Sequence, residues 1–250
     1  MFKLPVLQLS IPVIVMTVNV AKARPAPLHS DAVAKGDPCE AAKPFAEKAT
    51  YFSKTAVFRA ALLAIQKKAG VAPAREHTTS FGKDTLGNAI ASPVINGERS
   101  SSSIPDVSNG FADLHNHPNN TPPSSGDLYG LIRKNRKNRS YDIRYVITRA
   151  GTLYAFVIID SAKASAFLAK YPPQQEPGYS PLFPDALLNE YREIQYKYNA
   201  TEEITMAYLL EKYEAGVALL KQGAGGAFAM LRTSVSMVGD ELVFTANDCK

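Results

Sequence analysis

The chain has no tryptophan, only two cysteines and only four histidines in 250 residues. The missing tryptophan decides nothing. Two cysteines, Cys39 and Cys249, allow one pairing at most. Long apolar runs are also missing. The nearest to one is Leu4-Pro5-Val6-Leu7 followed by Ile11-Pro12-Val13-Ile14-Val15-Met16, which is short and interrupted by proline. A spanning helix needs about 20 apolar residues, so no stable membrane span is expected. No internal repeat is visible, which argues against a solenoid or array. What remains is ordinary globular composition, 46% hydrophobic and 20% charged.

The first residues read as an export signal. Lys3 precedes the broken apolar stretch, and Ala21-Lys22-Ala23 supplies a small-residue cleavage site. Cleavage after Ala23 is expected. No cysteine follows directly, so a lipoprotein anchor is not indicated. Export places Cys39 and Cys249 in an oxidising compartment, where an even count points to a disulfide joining the chain ends. The formal net charge is +5, and much of it sits in Arg133-Lys134-Asn135-Arg136-Lys137-Asn138-Arg139. No aromatic platform accompanies this run. It reads as a solvated helix end, where cations are favourable, and no nucleic-acid partner is expected.

The densest chemistry lies at His115-Asn116-His117-Pro118, followed by Ser124-Ser125-Gly126-Asp127. Alternate residues of a strand share a face, so an extended Phe111 to His117 brings His115 and His117 together. Pro118 takes the chain out of the sheet, and Asn119-Asn120-Thr121-Pro122-Pro123 is turn composition. Ser124 fits a helix N-cap with Asp127 at the third helical position. Leu128, Leu131 and Ile132 follow at helical spacing. A first-turn carboxylate then faces two imidazoles at a strand end. Three such ligands suit zinc and leave one position open, the pattern of a catalytic rather than a structural site. Either half alone is common: His-x-His by chance, Ser-x-x-Asp as a plain helix cap. Their combination is far more specific.

This segment resembles the JAMM motif, His-x-His-Pro then Ser-x-x-Asp, of JAB/MPN-domain metalloproteases. It is most similar to bacterial JAB-like domains of secreted and Rhs-associated proteins. The resemblance covers about a third of the chain. The linking loop is one residue shorter than the commonest family spacing when Ser124 is the motif serine. The resemblance implies an α/β fold, a JAB/MPN-like (cytidine-deaminase-like) mixed sheet flanked by helices. It implies that His115, His117 and Asp127 hold one zinc ion, and that Ser124 helps stabilise an oxyanion. It also implies an upstream glutamate as general base. Glu76 and Glu98 are the two candidates. Glu76 precedes a hairpin-like stretch, Lys83 to Asn88 and then Ala89 to Val94, which is the family's order of elements, and it is preferred. Glu98 follows Asn96-Gly97, a tight-turn signature, and reads as a loop charge. His77 reads as a surface histidine.

The function implied is that of an exported zinc-dependent hydrolase acting on a protein or peptide substrate at a peptide or isopeptide bond. The alternative is a non-catalytic JAB-like interaction module or a secreted effector or toxin domain. The expected layout is a signal peptide (1–23), a linker (24–38), an N-terminal helix (39–70), the JAB-like metal-binding domain (71–160) and a mainly helical C-terminal extension (161–250). Within the extension, helices are expected over 161–171, 186–198 and 201–222, the last opened by Asn199. A final hairpin turns at Gly239-Asp240. The tyrosines at 191, 196, 198, 208 and 213 read as packing and interface residues.

Overall fold

The computed structural model describes residues 37–175 and 180–249. The expected signal peptide and nearly all of the expected linker lie outside them. Two helices come first, α1 (Pro38–Ser53) and α2 (Ala56–Val71). The single helix expected over 39–70 is therefore two. Thr55 breaks it, because its hydroxyl caps a new helix by accepting from the Phe58 amide. The linker expected to run through residue 38 already ends at Asp37, which caps α1.

The sheet begins with β1 (His77–Lys83), β2 (Ala89–Ala91) and β3 (Ile95–Asn96), then β4 (Ala112–His117). Helix α3 (Ser125–Lys137) leads to the hairpin of β5 (Ile143–Thr148) and β6 (Leu153–Ile158). Helices α4 (Ser161–Lys170), α5 (Asp185–Lys197) and α6 (Glu202–Lys212) precede β7 (Val217–Gln222), β8 (Phe228–Val238) and β9 (Glu241–Asp248). The result is an α/β architecture with one mixed sheet of nine strands, ordered β2-β1-β4-β5-β6-β7-β8-β9, with β3 also on β1.

Residues 217–222, expected to prolong a helix, are instead β7, paired antiparallel with both β6 and β8. Left-handed backbone at Glu214 (φ 48) and Gly216 (φ 65) ends the helical path. Val217-Ala218-Leu219-Leu220 is buried throughout, as a central strand covered on both faces must be. Three strands of the sheet thus come from beyond residue 161.

Strand alternation divides the core in two. Tyr154, Phe156 and Ile158 of β6 point into one cluster with α3, α4, α5 and α6. Leu153, Ala155 and Val157 point into the other, with α1 and α2. The same alternation runs through β4. Ala112 and Leu114 join the α1/α2 core, which leaves Asp113, His115 and His117 on the α3 side. β4 and β5 are parallel, and parallel neighbours need a crossover, here α3. The carboxyl end of β4 and the N-terminus of α3 therefore meet, the usual ligand position in such units.

Candidate metal centre

His115 and His117 lie at the carboxyl end of β4 and are both buried. The His115 backbone is held on both sides, by Thr78 of β1 and Val146 of β5, and that of His117 by Thr148 of β5. Asp127 arrives from the first turn of α3. Ser124 caps that helix through a reciprocal box: the Asp127 amide donates to Ser124 Oγ at 3.3 Å, and the Ser124 amide donates to Asp127 Oδ2 at 2.7 Å. Ser124 Oγ also donates to Oδ2, at 2.8 Å. These bonds fix the carboxylate and turn Oδ1 toward the strand.

The three side chains converge. His115 Nε2 is 3.2 Å from His117 Nε2 and 3.0 Å from Asp127 Oδ1, and His117 Nε2 is 3.3 Å from Asp127 Oδ2. One ligand atom from each residue can be chosen with all three within 4.8 Å of one another. A tetrahedral zinc ion with bonds of about 2.0–2.1 Å needs ligand separations of roughly 3.3 Å. The two imidazoles and the carboxylate are close enough together to hold a small divalent cation. His117 Nδ1 donates to the Thr121 carbonyl at 3.0 Å, which fixes the tautomer that leaves Nε2 with a free lone pair.

The charges point the same way. Burial raises the Asp127 carboxyl, but His115 and His117 outweigh it and hold the group well below 3.8. Burial lowers His115, but the Asp127 and Asp113 carboxylates push it up to about 10. Two carboxylates and an imidazole thus create a strong demand for positive charge, met by a proton or by a metal.

No family model, curated protein or solved structure matches this chain.

Glu76 lies one residue before β1, on the face shared by Thr78 and Ser80, and is 7% exposed. It lines the same cavity of about 230 Å³ as His115, His117, Ser124 and Asp127. Burial raises its carboxyl above 4.5, with the nearby histidines pulling it back and Asp127 adding to the rise. Glu98 is elsewhere. It is exposed and sits 3.6 Å from Arg75. Ser124 stands at the cavity's open side, and Ser100, Ser101, Ser102 and Ser180 add hydroxyls to the wall.

One sequence reading is corrected. His77 is not a surface residue but 1% exposed, with Nδ1 3.2 Å from Asn96 Oδ1. It shares the Phe81 face of β1, which α2 covers. Burial there depends on tertiary packing that the local sequence does not display.

Several residues of the site escaped sequence reading. Asn116, between the two histidines, accepts from the His77 amide at 2.7 Å and donates to the Arg75 carbonyl at 3.1 Å. Its side chain thus clamps both peptides flanking Glu76. It replaces the next rung of the β1–β4 ladder, whose regular pairing stops at Thr78 and His115. Asp113, Tyr141 and Arg144 form a buried polar group behind His115. Period-two spacing from His115 to Asp113 was a usable signal for the first of them; the others are long-range partners with none. The basic run after Ile132 lies at the end of α3, where Lys134 pairs with Asp106 and most of the other cations are exposed. Among the proposed packing tyrosines, Tyr191, Tyr198, Tyr208 and Tyr213 pack on the α3–α6 core, whereas Tyr196 is 83% exposed.

Proposed function

We propose that this protein is an exported zinc-dependent hydrolase of the JAMM type, cleaving a peptide or isopeptide bond with activated water. The observation that carries this reading is the convergence of two imidazole nitrogens and a carboxylate at 3.0–3.3 Å beside a buried glutamate. His115, His117 and Asp127 would hold a zinc ion, which when bound would supply Lewis acidity and a water acidic enough to ionise near neutral pH. The Glu76 carboxylate, clamped through its flanking peptides by Asn116, is placed in the cavity to accept a proton from an attacking water and return it to the leaving nitrogen. Its raised pKa suits a group that must both accept and return a proton. The Ser124 hydroxyl donates to Asp127 in this structure, and simple rotation about its C–O bond redirects it to a developing oxyanion.

Export is supported by the Cys39–Cys249 disulfide, since such bonds persist in oxidising compartments. No helix among the described residues is long and apolar enough to cross a membrane. Protein or peptide is the proposed substrate, because serine hydroxyls line the cavity beside the His-His-Asp cluster, with Ile104 and Pro181 its main apolar side chains.

The test is digestion of a peptide library by zinc-loaded protein, read by mass spectrometry. Wild type is expected to release amide-cleavage products, and Glu76→Gln to release none while still binding zinc. Zinc-loaded wild type without any product would contradict hydrolysis and favour the interaction module.

A further inference from the structure

A buried ion pair lies directly behind His115 and Asp127. Asp113 is two residues before His115 on β4, and Arg144 stands opposite it in register on β5. Asp113 is fully buried and Arg144 is 4% exposed. Arg144 Nε donates to Asp113 Oδ1 at 3.0 Å and Nη2 donates to Oδ2 at 3.1 Å. The Tyr141 hydroxyl donates to the same Oδ2 at 2.7 Å. The remaining arm, Nη1, donates to the Asp127 carbonyl at 2.8 Å and lies 3.9 Å from Asp127 Oδ1. On the other side, Asp113 Oδ1 is 3.8 Å from His115 Nδ1, the rear of the ring whose Nε2 faces the site. One guanidinium thus ties the helix that supplies Asp127 to the strand that supplies His115.

The helix makes room for this contact. Gly130 is one turn beyond Asp127, and a Cβ there would run into the Arg144 guanidinium. A fold in need of stability alone has no reason for such a construction, because apolar residues of similar volume often replace a buried ion pair without loss. The pair joins the two elements at the point where their ligands must keep a fixed separation.

We propose that Asp113 and Arg144 are positioning residues of the metal centre, setting the separation and orientation of His115 and Asp127. This rests on reading the His-His-Asp cluster as a metal site. Groups that orient ligands from behind typically contribute about 10- to 100-fold in metal affinity.

The test measures zinc affinity by competition with a chromophoric chelator, and the visible absorption of the cobalt-substituted protein. The chosen variant is the double replacement Asp113→Leu with Arg144→Met, which removes the charges together and leaves neither buried alone. It is expected to melt within a few degrees of the zinc-free wild type. It is also expected to bind zinc about 10- to 100-fold more weakly, with a shifted cobalt spectrum. A folded double variant with wild-type zinc affinity and cobalt spectrum overturns the proposal. Should that variant fail to fold, Arg144→Lys keeps a positive charge against Asp113 and removes the arm that reaches the Asp127 carbonyl. A smaller loss of affinity in the same direction, with an altered cobalt spectrum, supports the proposal, and no change in either overturns it. The two readings fail differently. Wild type that takes up no zinc removes the metal site and this inference with it, whereas zinc-binding wild type with indifferent variants removes this inference alone.

Discussion

At the residue scale, the site is a contest for positive charge between a proton and a metal. Asp127 and Asp113 hold His115 protonated up to about pH 10 against the cost of burial. The imidazole must lose that proton to bind zinc. Zinc affinity is therefore expected to rise with pH between about pH 6 and pH 9, with about one proton released per zinc bound. Calorimetry in buffers of different ionisation enthalpy reads the released proton directly, and an affinity flat over that range would contradict the assignment. Glu76 carries a separate expectation. Glu76→Gln removes the base without touching a ligand, so the turnover of any identified substrate should fall by at least about 10²-fold while zinc content is kept. His115, His117 and Asp127 were legible in the sequence, because strand period and helix capping place them by local rules, whereas Glu76 was reached only through the resemblance to the JAMM motif. Asn116 was overlooked although it lies inside the motif, since its partners Arg75 and His77 are some 40 positions away. Asp113 and Arg144 are 31 residues apart and meet only once β4 and β5 pair in parallel.

At the scale of elements, local capping decides where ligands stand. Ser124 both starts α3 and holds Asp127, so Ser124→Ala is expected to cost about 0.5–2 kcal/mol in stability, measured by urea unfolding. It should also weaken zinc binding, because Oδ2 loses a donor. The turn into β7 makes a second demand. Gly216 has φ 65, and a Cβ there would collide with the Asp160 carbonyl and press on the Ala164 amide. Gly216→Ala is expected to destabilise the fold by about 1 kcal/mol or more, seen as a lowered melting temperature. The strands β4, β5 and β6 and the helices α3, α4 and α5 were legible because each shows clear periodicity or turn chemistry. β7 was not. A short apolar run directly after a helix fits either state, and only its neighbours β6 and β8 decide. The break between α1 and α2 was hidden for a related reason: apolar spacing continues across Thr55 while the capping hydroxyl redirects the chain.

At the scale of the whole molecule, the described residues from 37 onward belong to one compact unit whose ends are joined by Cys39–Cys249, 210 residues apart. The bond ties the start of α1 to the end of β9, so the covering helices and the last sheet edge cannot separate independently. Replacing both cysteines by serine is expected to cost about 2–5 kcal/mol, read as a lowered melting temperature without loss of the zinc site. The α/β class and the helix-flanked sheet were legible in the sequence; the share of the sheet built from the C-terminal part was not, because strand pairing is a long-range property. The central claim is that His115, His117 and Asp127 form a metal centre. Elemental analysis of the purified protein, set beside His117→Ala and Asp127→Ala, tests it most directly. The account predicts about one zinc per chain in the wild type and its loss from both variants. A folded wild type that stays metal-free when offered zinc would contradict it.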